Sequence, residues 1–229
     1  ESSNNLVLNF GSANGGSSSG SSSDSSSSSQ QDLSSQVFSE DFEDNTYSRA
    51  GDTTTADISS VIGHTGSTTN VLYFPKSSSK KWIQSGLGSV RTISWWFKYI
   101  SKSTSTGYIC ELRPSRDYNT SITTNGTTVS VSDTNGIGGN LYINGVNYSS
   151  ATYTLTEWNH FCFTVDANWG DDQIWWSHAG DYYTNMGQYY VECYVDDVRM
   201  FSDVLPTAQI TDLSNGGTGN TSSSGSSGS

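Results

Sequence analysis

The stretch YVDDVRMFSDVLPTAQITDL, residues 194–213, carries a strand pattern that runs into a short helical pattern. Apolar and polar residues alternate through the longer segment YYVECYVDDVRMF (189–201), which is typical of a strand with one buried face. Pro206 then offers a helix start, and Leu205, Ile210 and Leu213 fit one or two helical turns. We therefore expect a long strand followed by a short helix.

The same two-residue alternation recurs through the middle of the chain. Segments rich in β-branched and aromatic residues are typical of strands, and they read NVLYF (70–74), TISWWFKYI (92–100), GYICEL (107–112), TTVSVS (127–132), NLYING (140–145), HFCFTVD (160–166) and QIWWS (173–177). Asn-Gly pairs at 125–126, 135–136 and 144–145 mark tight turns. Many short strands at this spacing predict an all-β sandwich.

Serine-rich segments flank this core. Residues 11–36 and 216–229 consist mostly of serine and glycine. Such segments bury too little apolar area to offset their ordering entropy, so we predict two flexible linkers around one domain, residues 37–215. Because the chain begins at Glu1 without a signal-peptide pattern, we expect a mature or excised segment.

A short strand pattern, NNLVLNF (residues 4–10), precedes the first linker. A lone strand is unstable in water, so residues 1–10 need a partner. Three alternatives are open: the last strand of a preceding domain, an extra strand of this domain, or a strand donated to a second copy. The third alternative would build a filament by self-association through residues 4–10.

The charge balance excludes some partners. The chain has 22 acidic and 10 basic residues, a formal net charge of −12. Phosphate backbones and anionic lipid surfaces repel such a chain, so we expect no nucleic-acid partner. The sequence also lacks an apolar run of bilayer length, so we expect no membrane insertion.

Four segments resemble laminin-G-like, concanavalin A-like lectin-glucanase jelly rolls. TISWWFKYI is similar to their "tiS-x-W-x-k" strand, EWNHFCFTVD (157–166) to "W-x-H-v-a-v-T-x-d", and residues 194–213 to the closing "i-D-D-v-R-i-y" segment. FSEDFEDN (38–45) is similar to the first strand of many carbohydrate-binding jelly rolls. Gln209 departs from the pattern, because an acidic residue is usual there. The resemblance implies a two-sheet antiparallel jelly roll.

The resemblance also implies a structural calcium ion between the first and last strands. The matching residues are Glu43 and Asp196, with Asp197 or Asp41 as helpers. Calcium takes several oxygen ligands, which carboxylates at a strand junction supply. Strand alternation would place Asp196 on one face with Val198 and Met200, which is costly unless the carboxylate is paired or bound to metal. The alternative is pairing with backbone amides, Arg199 or Lys98.

A sugar site needs exposed aromatic rings beside polar groups. Trp95 and Trp96 lie on opposite faces of one strand, and in the family pattern Trp96 is the packing residue, which leaves Trp95 freer. The candidate carbohydrate-binding residues are Trp95, Trp169, Asp171, Asp172, Trp175, Tyr182, Tyr183 and Asn185. The alternative is that adjacent aromatic residues pack both sides of the sandwich.

The sequence favours a non-catalytic protein. It lacks the paired carboxylates that retaining glycoside hydrolysis needs, and CELR (110–113) matches only part of the strand of alginate-lyase-type jelly rolls. His178 with Tyr182 forms only a weak acid-base match, whereas His64 and His160 are interpreted as structural.

Two kinds of covalent modification can be considered from the sequence, disulfide formation and N-glycosylation. Cys110, Cys162 and Cys193 allow at most one internal disulfide, or are buried free thiols. Sequons predict glycosylation at Asn119, Asn125, Asn147 and Asn220.

Taken together, the patterns predict an extracellular adhesive module that binds glycans or glycoproteins and holds a structural calcium ion. A filament subunit and a polysaccharide-cleaving enzyme are the alternatives.

Overall fold

The computed structural model describes residues 35–43, 53–54, 56–75, 82–84, 89–103, 105–115, 118–133, 138–169, 173–176 and 190–216. In chain order its elements are β1 (Gln36–Glu40), β2 (Thr53–Thr54), β3 (Asp57–Ile62), β4 (Thr68–Phe74), β5 (Trp82–Gln84), β6 (Val90–Lys102), β7 (Gly107–Ser115), β8 (Tyr118–Thr124), β9 (Val129–Asp133), β10 (Asn140–Ile143), β11 (Val146–Asn147), β12 (Asn159–Trp169), β13 (Gln173–Trp176), β14 (Val191–Phe201) and α1 (Thr207–Ser214).

The strands form two antiparallel sheets, which confirms the predicted sandwich. Within the described residues, sheet A has the order β11-β10-β12-β6-β14-β4-β3, and β1 also pairs with β14. Sheet B has the order β2-β5-β13-β7-β8-β9. Consecutive strands β3 and β4, β7 and β8, and β8 and β9 pair as hairpins, and the predicted turn at Asn125-Gly126 joins β8 to β9.

Aromatic side chains fill the space between the sheets. Trp82 of β5 and Trp176 of β13 stack with ring centroids 5.8 Å apart, and Trp95 of β6 meets Trp176 edge-on at 5.1 Å. All three indoles are completely buried. Sheet B therefore contributes two tryptophans to the core and sheet A contributes the third.

A β-bulge interrupts β14 and changes which residues face the core. Asp196 lies opposite Trp96 and Arg199 lies opposite Ser94, so two residues of β14 face the single residue Trp95. Asp197 has a φ of 44°. The extra residue reverses the alternation, as bulges do.

The bulge corrects one prediction from the sequence. Val195 and Val198 both belong to the core cluster, although they are three residues apart. Asp196 consequently lies on the outer face of sheet A and does not share a face with Val198 and Met200. The carboxylate thus avoids the apolar core because the backbone is locally irregular.

Helix α1 covers one end of the outer face of sheet A. Ile210 and Leu213 pack with Leu205, Cys162 and Phe201 in a separate apolar cluster. This confirms the short helix that the sequence predicts after Pro206.

A tight turn allows the close approach of α1. Asn144 and Gly145 join β10 to β11 with φ values of 53° and 77°. A Cβ on Gly145 would lie 2.8 Å from the hydroxyl oxygen of Ser214 and 3.0 Å from the Cα atom of Thr211. Glycine is required both for the left-handed conformation and for the contact with the helix.

The three cysteines are buried and free. Of the two alternatives that the sequence left open, the structure therefore has buried free thiols and no disulfide among them. Burial raises the pKa of the Cys110 and Cys162 thiols.

The predicted strand at residues 4–10 and most of the predicted linkers lie outside the described residues. No helix in the described part of the chain is long and apolar enough to cross a membrane.

Candidate functional site

A cavity lies on the outer side of sheet A where β14 changes neighbours. Strand β4 pairs with β14 as far as Val195, and β1 pairs with it from Val198 onward. The bulge lies in the gap between them. The resulting cavity of about 350 Å³, here called the junction pocket, is lined by Asp41, Glu43, His64, Thr65, Ser67, Thr68, Thr69, Asp196, Asp197 and Arg199.

Asp196 forms the buried wall of the junction pocket. Its side chain is 3% exposed, and its Oδ2 atom lies 3.0 Å from Nδ1 of His64. Its Oδ1 atom accepts a hydrogen bond from the backbone N–H of Asp197 at 2.8 Å. Burial raises the pKa of the Asp196 carboxyl, although both hydrogen bonds oppose that shift.

Asp197 is paired with a cation on its own strand. Arg199 donates from Nε to Oδ1 of Asp197 at 2.7 Å and from Nη2 to Oδ2 at 2.9 Å. This two-point pairing fixes both carboxylate oxygens. The two neighbouring aspartates therefore have different roles, since Asp196 contacts His64 and Asp197 contacts Arg199.

Glu43 closes the pocket from the segment that follows β1. The hydroxyl of Thr69 and the backbone N–H of Asn70 donate to Oε1 of Glu43, the latter at 3.3 Å. The backbone N–H of Glu43 donates to Oδ1 of Asp41 at 3.2 Å. These contacts bring the end of β1 beside the start of β4.

The structure brings the three predicted calcium ligands together. Glu43, Asp196 and Asp197 line the junction pocket, and so does the helper Asp41. Their carboxylate oxygens are the donors that calcium prefers. Among the described residues, however, no group of three or more His, Cys, Asp and Glu side chains is arranged to hold a metal ion. The calcium ion therefore stays a prediction.

An aromatic group adjoins the pocket through His64. The imidazole of His64 stacks on Trp96 with ring centroids 4.4 Å apart and planes 12° apart. Trp158 approaches His64 edge-on at 6.3 Å, and its Nε1–H donates to the carbonyl of Ile62 at 2.9 Å. Trp158 is thus held in place by the turn that carries His64.

The aromatic group continues across the strands. Tyr194 of β14 lies 6.3 Å from Trp158 and 5.3 Å from Tyr73 of β4, between ring centroids. Tyr73 donates its hydroxyl to Glu192 at 2.7 Å, and this carboxylate raises the pKa of Tyr73 to about 12. We call the group the aromatic patch; its members are His64, Tyr73, Trp96, Trp158 and Tyr194.

A buried polar pair lies beside the aromatic patch. His160 is 1% exposed, and its Nε2 atom lies 2.7 Å from the hydroxyl oxygen of Ser94. Its ring meets Trp96 at 5.3 Å. Burial, with smaller effects of Arg199 and His64, lowers the pKa of His160 to about 3. The imidazole is therefore neutral at pH 7 and packs edge-on against Trp96, its cross-strand neighbour.

The structure reverses the predicted roles of two adjacent tryptophans. Trp95 is completely buried and stacks on Phe161 at 5.5 Å, so the prediction that it contacts sugar is wrong. Trp96, predicted to be the packing residue, lies on the outer face and is half-buried. The prediction that Trp95 and Trp96 lie on opposite faces of the strand was correct. The alternation of side chains does not show which of the two faces is buried.

The side chains of the other predicted carbohydrate-binding residues lie outside the described part of the chain. Trp169 ends β12 and Trp175 lies on β13 opposite Glu111, but their side chains lie outside the described part of the chain. Asp171, Asp172, Tyr182, Tyr183 and Asn185 lie outside the described residues, as do His178 and Asn220.

The predicted glycosylation sites that are described lie near turns or in a strand. Asn125 is exposed in the turn between β8 and β9, where its Oδ1 accepts from the backbone N–H groups of Thr127 and Thr128. Asn147 ends β11 and its Oδ1 accepts from Ser149. Asn119 lies within β8, and its side chain is outside the described part.

Sequence reasoning missed most of the aromatic patch. His64 was interpreted as structural, and Tyr73, Trp158 and Tyr194 were read only as strand or motif residues. One signal was available, since Tyr73 and Tyr194 are half-buried aromatic residues that each lie between two buried apolar residues of their strands. Their meeting depends on the pairing of β4 with β14, which the sequence does not reveal.

The comparisons with known proteins agree on the fold. No protein-family model and no curated protein matches the chain. Domain 4 of AbnA, a GH43 extracellular arabinanase from Geobacillus stearothermophilus, solved with arabinotriose, matches with a TM-score of 0.51 and 16% identity over 78% of this chain and 98% of that one.

Two further structures match over parts of larger chains. Trypanosoma rangeli sialidase with the inhibitor DANA has a TM-score of 0.43 and 10% identity over 69% of this chain and 29% of that one. The receptor-binding domain of botulinum neurotoxin D has a TM-score of 0.42 and 14% identity over 80% and 52%. With TM-scores below 0.5, these two structures carry no argument, and the similarity to AbnA domain 4, at 16% identity, shows the β-sandwich fold alone.

Proposed function

We propose that this domain is an extracellular, non-catalytic glycan-binding module of the laminin-G-like type, and that the aromatic patch is its binding face. The observation that carries the proposal is the continuous contact from Trp96 through His64 and Trp158 to Tyr194 and Tyr73 on the outer face of sheet A. Sugar rings present C–H faces that pack on such aromatic rings.

Polar side chains surround the patch in the way that sugar recognition requires. Lys98 lies opposite Tyr194 on β6, and Asp57 lies opposite Tyr73 on β3. Glu192 accepts hydrogen bonds from Tyr73 and from Ser101 at 2.6 Å. Ligand hydroxyls can therefore meet both donors and acceptors at the rim of an aromatic surface, which is the usual composition of a binding site.

The similarity to AbnA domain 4 supports the choice of a first ligand. That domain was solved in complex with arabinotriose. We therefore propose neutral oligosaccharides, with arabinotriose among them, as the first class to test on this chain.

The calcium ion predicted from the sequence belongs to the same proposal. We propose that calcium would draw together Asp41, Glu43 and Asp196, which supply hard oxygen donors around one cavity but are not arranged around a metal position in this structure. Asp197 is the weaker candidate, since Arg199 occupies both of its oxygens. Bound calcium would join the segment after β1 to β14.

The calcium proposal is tested by the melting temperature of the full chain. Removing metal with EDTA should lower the melting temperature, and added calcium should restore it while magnesium should not. The variant Glu43→Gln should lose this calcium response. An unchanged melting temperature in metal-free protein would exclude a structural ion.

Binding is tested on a glycan array and by calorimetry with the full chain. The variants Trp158→Ala and Tyr194→Ala should weaken binding by roughly tenfold each, because each removes a stacking surface. Val146→Ala is the matched control, since Val146 is a 48% exposed apolar side chain on β11, away from the patch. A chain that binds no glycan on the array would refute the proposal.

The two alternatives from the sequence stay predictions. Filament formation by strand donation depends on residues 4–10, which lie outside the described residues, and deleting residues 1–11 would abolish fibres if it occurs. Polysaccharide cleavage would release new reducing or unsaturated ends from plant and algal polysaccharides.

A further inference from the structure

A second cavity lies at the other end of sheet A, beside the start of helix α1. Its volume is about 440 Å³, and it is lined by Ser35, Arg91, Asp203, Val204, Leu205, Pro206 and Gln209. We call it the helix-end pocket. The volume lies in the range of small-molecule sites, and no residue of the pocket belongs to the aromatic patch or the junction pocket.

The guanidinium of Arg91 has one donor that the described residues leave without an acceptor. Arg91 donates from Nη2 to the carbonyl oxygen of Asp166 at 2.7 Å. Its Nε atom is buried, and no hydrogen-bond acceptor for it is found in the structure, as far as the described residues show. A buried N–H without an acceptor is unfavourable, so an oxygen atom from outside the described residues would stabilise the site.

The charges of the pocket balance. Arg91 supplies N–H donors and Asp203 supplies carboxylate acceptors, and the remaining lining side chains are uncharged. A charged ligand would leave one of these two groups opposed by a like charge. A ligand that donates and accepts hydrogen bonds without a net charge is complementary to both.

Two exposed apolar side chains also line this largely polar pocket. Val204 is 39% exposed, and Pro206 is exposed beside it. This segment is fixed on β6, because the hydroxyl of Thr92 donates to the carbonyl of Asp203 at 2.7 Å and accepts from the N–H of Leu205 at 3.0 Å. This segment is therefore pre-organised, which lowers the entropic cost of binding.

From these features we infer that the helix-end pocket is a second glycan subsite, selective for an uncharged sugar ring. The ring's C–H face packs on Val204 and Pro206, and its hydroxyl groups pair with Arg91 and Asp203. The inference rests on the proposed function and extends it, because two separate sites on one domain allow it to cross-link glycans.

Calorimetry and a glycan array on the full chain test the inference, with arabinotriose and neutral and uronate-containing oligosaccharides as probes. Wild type should bind two equivalents of a neutral oligosaccharide. Arg91→Lys keeps the charge but removes the Nε donor, and Val204→Ser removes part of the apolar lining at an exposed position. Each should weaken the second site by roughly tenfold. Circular dichroism and thermal melting establish that both variants fold.

A variant with the patch disabled separates the two sites. Trp158→Ala should retain weak binding of neutral sugars, and Trp158→Ala with Arg91→Lys should retain none. A stoichiometry of one with unchanged binding by Arg91→Lys would overturn the second site and leave the proposed function intact. Residual binding of Trp158→Ala that selects uronates would overturn the neutral specificity. A wild-type chain that binds no glycan would overturn both proposals.

Discussion

The two ends of the outer face of sheet A are built from different side chains. At one end Cys162 and Phe201 are completely buried beneath α1. At the other end Trp158 and Tyr194 are half-buried, and no helix of the described structure covers them. Aliphatic and phenyl groups stabilise a fold most when they are fully buried, whereas tyrosine and tryptophan combine an apolar ring with a polar group and tolerate water.

The bulge in β14 separates these two ends. Before the bulge, Tyr194 and Asp196 lie on the outer face, and after it Phe201 does. One extra residue thus places carboxylate and phenol groups on the open end and a phenyl group under the helix. The comparison teaches that burial on this face depends on the local backbone as much as on composition.

The largest effect is expected at the covered end. Phe201→Ala should destabilise the domain by about 3–5 kcal/mol, because it leaves a cavity between β14 and α1. Trp158→Ala at the open end should cost much less. Urea denaturation followed by circular dichroism measures both, and equal losses at the two ends would contradict the comparison.

Acidification should lower the stability of the fold through the buried His160 beside the aromatic patch. Burial lowers the pKa of His160 from 6.5 to about 3 in the folded state. Between these values the unfolded chain binds a proton that the folded chain does not, so stability rises with pH in this window and falls on acidification.

Comparing wild type with His160→Gln isolates this contribution. Urea denaturation between pH 7 and pH 3 should give a shallower loss of stability for the variant, since glutamine does not titrate. His64→Gln is the control for the second histidine. Parallel pH profiles for wild type and His160→Gln would show that His160 is protonated in the folded state.

The ion pair at the bulge should contribute less than the buried groups. The side chains of Arg199 and Asp197 are 15% and 22% exposed, so solvent screens their attraction in part. Arg199→Gln should cost about 1 kcal/mol, and a double-mutant cycle with Asp197→Asn measures the coupling. A coupling near zero would mean that the bulge is held by its backbone alone.

The smallest effect is expected for the tyrosine at the rim of the patch. The hydrogen bond to Glu192 raises the pKa of Tyr73 to about 12. Ultraviolet titration of Glu192→Gln should therefore show one tyrosine that ionises at lower pH than in wild type, and Tyr73→Phe should remove that step. Identical titration curves for wild type and Glu192→Gln would refute the assignment.

Much of the fold could be predicted because strands and turns are local. The alternation predicted β6, β12 and β14, and Pro206 with Ile210 and Leu213 predicted α1. The candidate site could be predicted only in part. Glu43 and Asp196 were identified by resemblance to a motif, whereas Tyr73 and Tyr194 become neighbours only when β4 pairs with β14.

The sequence by itself determined that this protein is a β-sandwich with a short closing helix, because alternation, Asn-Gly turns and a proline-started helix are properties of neighbouring residues. Tertiary structure alone decided that Trp95 is inside and Trp96 outside, and that Asp196 faces away from the core. Alternation defines two faces of a strand but does not say which is buried. That choice depends on packing against the second sheet and, in β14, on a bulge that reverses the alternation.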